Sequence, residues 1–378
     1  MDRQTFLKIL LAFLLTRVYL LAVGLAASQI TAPGYTPQLA WQASQSIPAV
    51  NVWCRWDSGW YLSIVELGYV VDSSKHPGYV VDRGIDLAAN KAFFPLYPLL
   101  VKLSGALIRD HLLAGVLLSN ICLLAAVVLL YELILLDYPS ATALRTVYFA
   151  LIYPVSFILS GFFSESLFLA LTVGAFYAAR KRRWMLSGAF GFLSALTRSF
   201  GALIIIPIAI EYASSEKAVK KEALYLLLIP LGTLLFFTHL YLLSGDVFSF
   251  SHTQELYWRT GLTEPVSSSI QIFAQYFTSI DTWVRLIFLI FAFFGLLYML
   301  ARKVRASYLV YSAYAILLPI ASSKFFSLPR FTLVVFPLYI VLGLLSERKL
   351  LGNALFYLSS LLMTLYMMLW VVGSTHII

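Results

Sequence analysis

The sequence predicts an all-helical integral membrane protein that crosses the bilayer about eleven times, since each crossing takes about 20 apolar residues. Three observations carry this. Hydrophobic residues make up 61% of the chain and charged ones only 12%. Long apolar runs recur from one end of the 378 residues to the other. Lysine and arginine collect in the short segments on one side of those runs. A soluble domain is about half apolar and a quarter charged, so this chain can bury its apolar surface only in lipid. A β-barrel would show short segments of alternating polarity instead. No shift in composition marks off a soluble domain. Residues 1–378 read as a single transmembrane domain with one large loop, 28–111.

The spans follow in order. The first is 9–27; Ala26-Ala27-Ser28 imitates a signal-peptidase site, but the apolar stretch is longer than a signal core and contains Arg17, so it reads as a retained helix. Further spans read at 112–136, 223–243, 284–301, 306–321, 331–345 and 351–372. The run 145–179 is interrupted at Ser164-Glu165-Ser166 and the run 184–210 at Thr197-Arg198-Ser199-Phe200-Gly201, so each reads as two shorter crossings. The halves of the second reach only about 20 Å at 1.5 Å per residue. They form a hairpin that needs tilt or local thinning of the bilayer. Segment 58–68 carries Trp60, Tyr61, Ile64, Val65 and Leu67 at helical spacing, as an interfacial amphipathic helix does.

Segment 93–108 decides the parity of everything after it, and charge decides segment 93–108. Laid along the outer interface, it makes 1–8, 137–145, 180–183, 211–222, 302–305 and 346–349 cytoplasmic. Those pieces hold 15 Lys/Arg against 6 Asp/Glu, whereas the extracytoplasmic segments hold 11 of each. The whole formal excess of +9 then lies inside, as the positive-inside rule requires. The opposite parity would put Arg180-Lys181-Arg182-Arg183 outside. The N-terminus is therefore expected in the cytoplasm, with loops 28–111 and 244–283 on the extracytoplasmic or lumenal face. The membrane is the plasma membrane of a prokaryote or the endoplasmic reticulum.

Other function classes find little support. No Lys/Arg block resembles a nucleic-acid footprint. Cys54 and Cys122 give no disulfide framework, and five histidines are scattered without metal-ligand spacing. The outer carboxylates Asp57, Glu165, Asp246 and Glu255 are oxygen donors suited to a hard cation, but they are too dispersed in sequence to assign a metal. No cofactor is expected.

With this topology the ionisable residues at membrane breaks fall on one face, and such residues are functional candidates by default. Asp57 follows the first span in Arg55-Trp56-Asp57-Ser58-Gly59-Trp60-Tyr61. Glu165 and Arg198 lie at outer turns, Arg259 lies in loop 244–283, and Lys324 and Arg330 flank Ser327-Leu328-Pro329-Arg330. Two carboxylates among several cations suit transfer of a sugar from a polyprenyl phosphate. Arginine holds a departing phosphate with a planar fork, and a carboxylate takes the proton of the attacking hydroxyl. One base is enough for a single inverting displacement. The bland readings are an Asp57–Arg55 pair, dipole stabilisation of Glu165, and Arg198 or Arg259 reaching lipid headgroups. Trp53, Trp56, Trp60 and Tyr61 read as an aromatic belt, although Trp56 beside Asp57 can also face a sugar. Arg17 sits mid-span and needs a partner the sequence does not name.

At these residues the chain resembles the PIG-V-type mannosyltransferases, which have the GT-C architecture. The resemblance runs through Arg55-Trp56-Asp57-Ser58-Gly59-Trp60-Tyr61 with Gly68-Tyr69, Ala92-Phe93-Phe94-Pro95-Leu96-Tyr97-Pro98, Ser164-Glu165-Ser166-Leu167-Phe168, Leu196-Thr197-Arg198-Ser199-Phe200-Gly201 and Leu328-Pro329-Arg330-Phe331. It implies a GT-C-type helical bundle with interfacial helices in the first loop. It also implies a dolichyl- or polyprenyl-phosphate-linked hexose, usually mannose, as donor. Asp57 would be the catalytic carboxylate, with Trp56 beside it and Glu165 the other outer-turn carboxylate. Arg55, Arg198, Arg259, Lys324 and Arg330 are the candidate substrate-binding cations. The acceptor is a lipid, glycan or protein. Two rivals are a lipid-linked-sugar transporter, which would show internal repeats and midplane breaks, and a non-catalytic subunit of a glycosylation complex.

The topology has a direct test. In intact cells, an impermeant thiol reagent should label a cysteine placed at position 74 and leave one at position 182 unlabelled. Labelling at 182 but not at 74 overturns the charge partition and the assembly of the outer site.

Overall fold

The computed structural model describes residues 1–30, 47–82, 85–216, 218–258, 280–321 and 327–373. No strand occurs among the described residues. In chain order the helices are α1 Arg3–Ile30, α2 Pro48–Asn51, α3 Ser58–Leu67, α4 Leu96–Ile108, α5 His111–Ile134, α6 Ser140–Ile152, α7 Glu165–Arg180, α8 Trp184–Ala195, α9 Ile205–Ser215, α10 Leu228–Ser244, α11 Ser249–Trp258, α12 Ile280–Ala301, α13 Ala306–Ala321, α14 Leu328–Thr332, α15 Pro337–Leu345 and α16 Lys349–Val371. Among the described residues, five helical stretches are long and apolar enough to cross a membrane: Arg3–Ile30, His111–Ile134, Lys221–Ser244, Trp283–Ala301 and Lys349–Val371. The other expected crossings correspond to shorter helices packed among them.

Those shorter pieces hold most of the buried interior. Helix α7 lies between α5 and α8 and exposes almost nothing along its length. Close approach is possible because small residues line the contacts. A Cβ at Gly115 of α5 would stand 2.3 Å from the Phe162 ring, so only glycine fits there. The α7–α8 hairpin is tied by Ser187 Oγ donating to Ala175 O at 2.9 Å and by the Thr172 and Ser194 hydroxyls 3.2 Å apart.

Two elements differ from the sequence expectation. Residues 331–345 do not form one crossing, because Pro337 begins α15 instead of continuing a helix from α14. Proline has no N–H for the preceding turn and fits the first helical position. The carbonyls left over are taken up by tyrosines. Tyr311 Oη donates to Val334 O at 2.7 Å, and Tyr339 Oη donates to Leu333 O. Segment 58–68 is helical as expected, but α3 is buried on most of its surface and not on one face alone. Helix α4 is two-sided: Leu99, Leu103 and Leu107 are exposed, while Tyr97, Val101 and Gly105 face the core.

Between α6 and α7 the backbone is irregular over residues 153–164, with one 3-10 turn at Ser156–Ser160, and is buried throughout. Unpaired backbone polar groups at such depth cost several kcal/mol, so each carbonyl needs a partner. Arg17 of α1 donates to Leu151 O at 2.6 Å, Ser156 O at 3.0 Å and Ser160 Oγ at 3.1 Å. Asn120 Nδ2 reaches Ser160 O at 3.4 Å, Ser58 Oγ reaches Phe162 O at 3.3 Å and Ser119 Oγ reaches Phe163 O at 3.2 Å. Ser166 Oγ donates to Leu159 O. The partner that Arg17 needs is therefore the broken backbone, not a carboxylate.

Arg17→Met should cost about 2–3 kcal/mol, because it strands carbonyls that accept from a charged donor. The purified protein in detergent should melt clearly lower, whereas Arg3→Met, on an exposed residue, should leave the transition unchanged. Equal melting of the two variants would show that the broken segment does not depend on Arg17.

Candidate functional site

The site is built where the broken segment delivers Ser164 and Glu165 to the start of α7. Glu165 is the first residue of that helix, where free N–H groups favour a negative charge. One of its oxygens, Oε1, accepts from Arg198 Nη1 at 2.6 Å and also from Arg330 Nε. The same Arg330 donates through Nη1 to Asp57 Oδ2. Asp57, Arg330, Glu165 and Arg198 thus form a continuous line of alternating charge from four chain segments far apart in sequence. Its formal charge is balanced, two against two.

Exposure differs along that line. The side chain of Glu165 is 0% exposed, Arg330 8%, Arg198 12% and Asp57 18%. Aromatic and hydroxyl groups fix the two guanidiniums. Arg330 lies over the Phe163 ring at 4.6 Å, and Arg198 lies 5.9 Å from the Phe331 ring centre, both within the range of cation–π attraction. Arg198 Nη1 also reaches Ser164 Oγ at 3.4 Å, and that hydroxyl sits 2.7 Å from Tyr61 Oη.

Asp57 is aimed by a tight turn. Ser58 N donates to Arg55 O at 3.1 Å and Gly59 N to Trp56 O at 3.2 Å. Trp56 has φ +53°, the left-handed region that is a genuine outlier for a bulky residue. The chain entering the turn is held twice, by Phe162 N donating to Trp53 O at 3.1 Å and by Trp370 Nε1 donating to Val52 O at 2.9 Å.

The candidates named from sequence divide as follows. Asp57, Glu165, Arg198 and Arg330 come together. Arg55 and Trp56 are the neighbours of Asp57 in its turn, but Arg55 does not pair with Asp57; Arg330 does. Arg259 and Lys324 lie outside the described residues. Asp246 pairs with His252 at 2.8 Å in the loop leading into α11, and Glu255 is exposed on that helix. Among the described residues, no group of three or more His, Cys, Asp or Glu side chains converges.

The aromatic-belt reading is corrected for three of its four residues. Trp53, Trp60 and Tyr61 are buried and pack inward, Trp60 against Phe93 and Tyr61 between Phe93 and Tyr97. Sequence reasoning did not single out Phe163 and Ser164 as contacts of the arginines. Their position beside Glu165 was the available signal.

Arg55 stands apart. Its side chain is buried, its Nε has no acceptor, and it forms no ion pair among the described residues. Burial pulls its ionisation down to about 10, with the neighbouring Cys54 thiol the opposing influence. Trp56 Nε1 is likewise buried without an acceptor.

Neither a family model nor a curated protein matches the chain. Among solved structures it is similar to the Archaeoglobus fulgidus oligosaccharyltransferase in complex with Zn and sulfate, at 12% identity over 93% of this chain and 53% of that one, with a TM-score of 0.47. It is also similar to the same organism's enzyme tethered to an acceptor peptide containing the NVT sequon. That match has 14% identity over 97% of this chain and 54% of that one, with a TM-score of 0.49. The chain thus spans about half the length of these structures.

Proposed function

We propose that this chain is a GT-C-type membrane glycosyltransferase. It moves a hexose, mannose by the PIG-V resemblance, from a dolichyl or polyprenyl phosphate to an acceptor hydroxyl on the extracytoplasmic face. One observation supports this most directly. Of the two carboxylates bridged by Arg330, Glu165 is sealed in the interior and Asp57 is partly exposed. Asp57 uses only Oδ2 toward Arg330, and its side chain makes no capping bond to α3. Oδ1 is left for an incoming hydroxyl.

In this reading the acceptor oxygen attacks the anomeric carbon and gives its proton to Asp57 Oδ1. The bond from that carbon to the phosphate oxygen breaks on the opposite side, so the configuration inverts and the polyprenyl phosphate departs with the electron pair. A phosphate is already a good leaving group, so no general acid is needed. Arg330 fixes the orientation of the base, and Glu165 fixes Arg330. Positioning of this kind accounts for much of the advantage of a bound reactant. Glu165, named from sequence as the other catalytic candidate, is a positioning residue in this reading because its side chain is 0% exposed.

Asp57→Asn should lower turnover of radiolabelled polyprenyl-phosphate mannose or glucose by about 10²–10⁴-fold, the usual contribution of a general base, with donor binding close to normal. Glu165→Gln should behave differently. It leaves two buried guanidiniums without the anion they share, which costs about 3–5 kcal/mol, so it should lower the melting temperature far more than Asp57→Asn does. Near wild-type turnover in Asp57→Asn, with loss in a folded Glu165→Gln, would reverse the two roles. Normal transfer by both would sink the enzyme reading of this cluster.

A further inference from the structure

Resting on the glycosyltransferase reading above, we infer that the phosphate of the lipid-linked donor binds at Arg55, with Trp56 Nε1 beside it, and not at Arg198 or Arg330. The charge pattern is the first reason. Arg198 and Arg330 are already engaged with Glu165 and Asp57 in a balanced set. A phosphate approaching them would meet two carboxylates as well as two guanidiniums, and would have to displace bonds already made. Arg55 offers a charge with no carboxylate on it among the described residues.

The second reason is what burial demands. The Arg55 side chain sits in a residue only 5% exposed. A buried cation is tolerated when it is paired and hydrogen-bonded and is costly otherwise. The same chain meets that demand at other buried arginines: Arg17 donates to two carbonyls and a hydroxyl, and Arg330 to two carboxylates. Among the described residues Arg55 makes no such bond. Its neighbour Trp56 adds a second buried donor without an acceptor, and does so from a backbone conformation that a tryptophan adopts only under constraint. Guanidinium and indole are donors only. The complementary ligand group is therefore rich in acceptors and negatively charged, which describes a phosphate better than a neutral hydroxyl.

The third reason is placement. The turn closed by Ser58 N and Arg55 O keeps Arg55 within two residues of the proposed base. Two peptide steps span at most about 7 Å between Cα atoms. An inverting displacement puts the base and the leaving group on opposite sides of one sugar ring, a separation of that order. The three consecutive residues Arg55, Trp56 and Asp57 would then divide the reaction among themselves. Arg55 holds the phosphate, Trp56 adds a hydrogen bond and an aromatic wall, and Asp57 receives the proton.

The test uses the purified full chain in nanodiscs, with polyprenyl phosphate and polyprenol as probes. Wild-type protein should bind the phosphate lipid more tightly than the alcohol. Arg55→Met should weaken binding of polyprenyl phosphate about ten- to a hundredfold, the range for a lost hydrogen bond to a charged group, and leave polyprenol binding unchanged. Arg55→Lys, which keeps the charge and loses the planar fork, should fall between. Without ligand, Arg55→Met should melt at the wild-type temperature or above it, because it removes a buried charge that has no partner. Unchanged affinity in Arg55→Met overturns the inference and leaves the enzyme reading standing, with the phosphate at Arg198 or Arg330. A clearly lower melting temperature or failure to fold in Arg55→Met also overturns it, since Arg55 is then a structural residue. If wild-type protein does not distinguish polyprenyl phosphate from polyprenol, the donor assignment fails and this inference fails with it.

Discussion

One carboxylate oxygen, Glu165 Oε1, accepts from two guanidiniums at once, and the part of the bundle that holds the site is arranged around that bond pair. A fully buried carboxylate has to be compensated where it stands. Arg198 is brought to it by the turn between α8 and α9, and Arg330 by the short α14. Arg330 in turn carries Asp57. Removing Glu165 would therefore release three segments, not one. The constraint also explains why a helix must begin at residue 165: the carboxylate needs a helix N-terminus at that depth, so the chain cannot run through from α6 as a continuous span.

Breaking the helix there transfers the cost to the backbone. Residues 153–164 leave carbonyls inside the bundle, and lipid offers them nothing. The polar side chains of α1 and α5 that face inward, Arg17, Ser119 and Asn120, make the bonds that the missing helix would have made. Ser58 does the same from the first turn of α3, which links the position of the broken segment to the turn that aims Asp57. The fold and the site are thus held by one hydrogen-bond system.

Much of this was legible in the sequence because ionisable residues are rare in an apolar chain and mark breaks. Asp57, Glu165, Arg198 and Arg330 stood out for that reason, and they meet. Which cation pairs with which carboxylate did not follow, because it depends on how half-helices cross. Arg17 was legible as a problem but not as an answer, since backbone carbonyls have no sequence signature. Residues 331–345 read as one span because hydropathy is blind to the missing N–H of Pro337. The tryptophans read as a belt because an aromatic side chain has the same composition signal whether it faces headgroups or packs against Phe93. Residues 58–68 had the right period, but period reports a helix and not what covers it.

The other end of α7 shows what this bundle does with charges that serve structure alone. About 22 Å along the helix, at 1.5 Å per residue, Arg180 donates to both oxygens of Asp137 at 2.5 and 2.9 Å and lies 3.7 Å from Glu211. Arg305 approaches Glu211 at 3.5 Å, and Ser307 and Tyr308 supply further hydrogen bonds to the two carboxylates. Each carboxylate there is shared, and each arginine has an anion. The Glu165 end likewise brings carboxylates and arginines together, yet among the described residues Arg55 Nε and Trp56 Nε1, in the turn that aims Asp57, are buried without acceptors. The packing rules are the same at both ends, so the chain is able to pair its charges. Arg305 Nε also lacks a hydrogen-bond acceptor but has Glu211 and Asp137 at 3.5 and 3.8 Å, whereas Arg55 has no carboxylate beside it among the described residues, and that missing anion is what a ligand would supply.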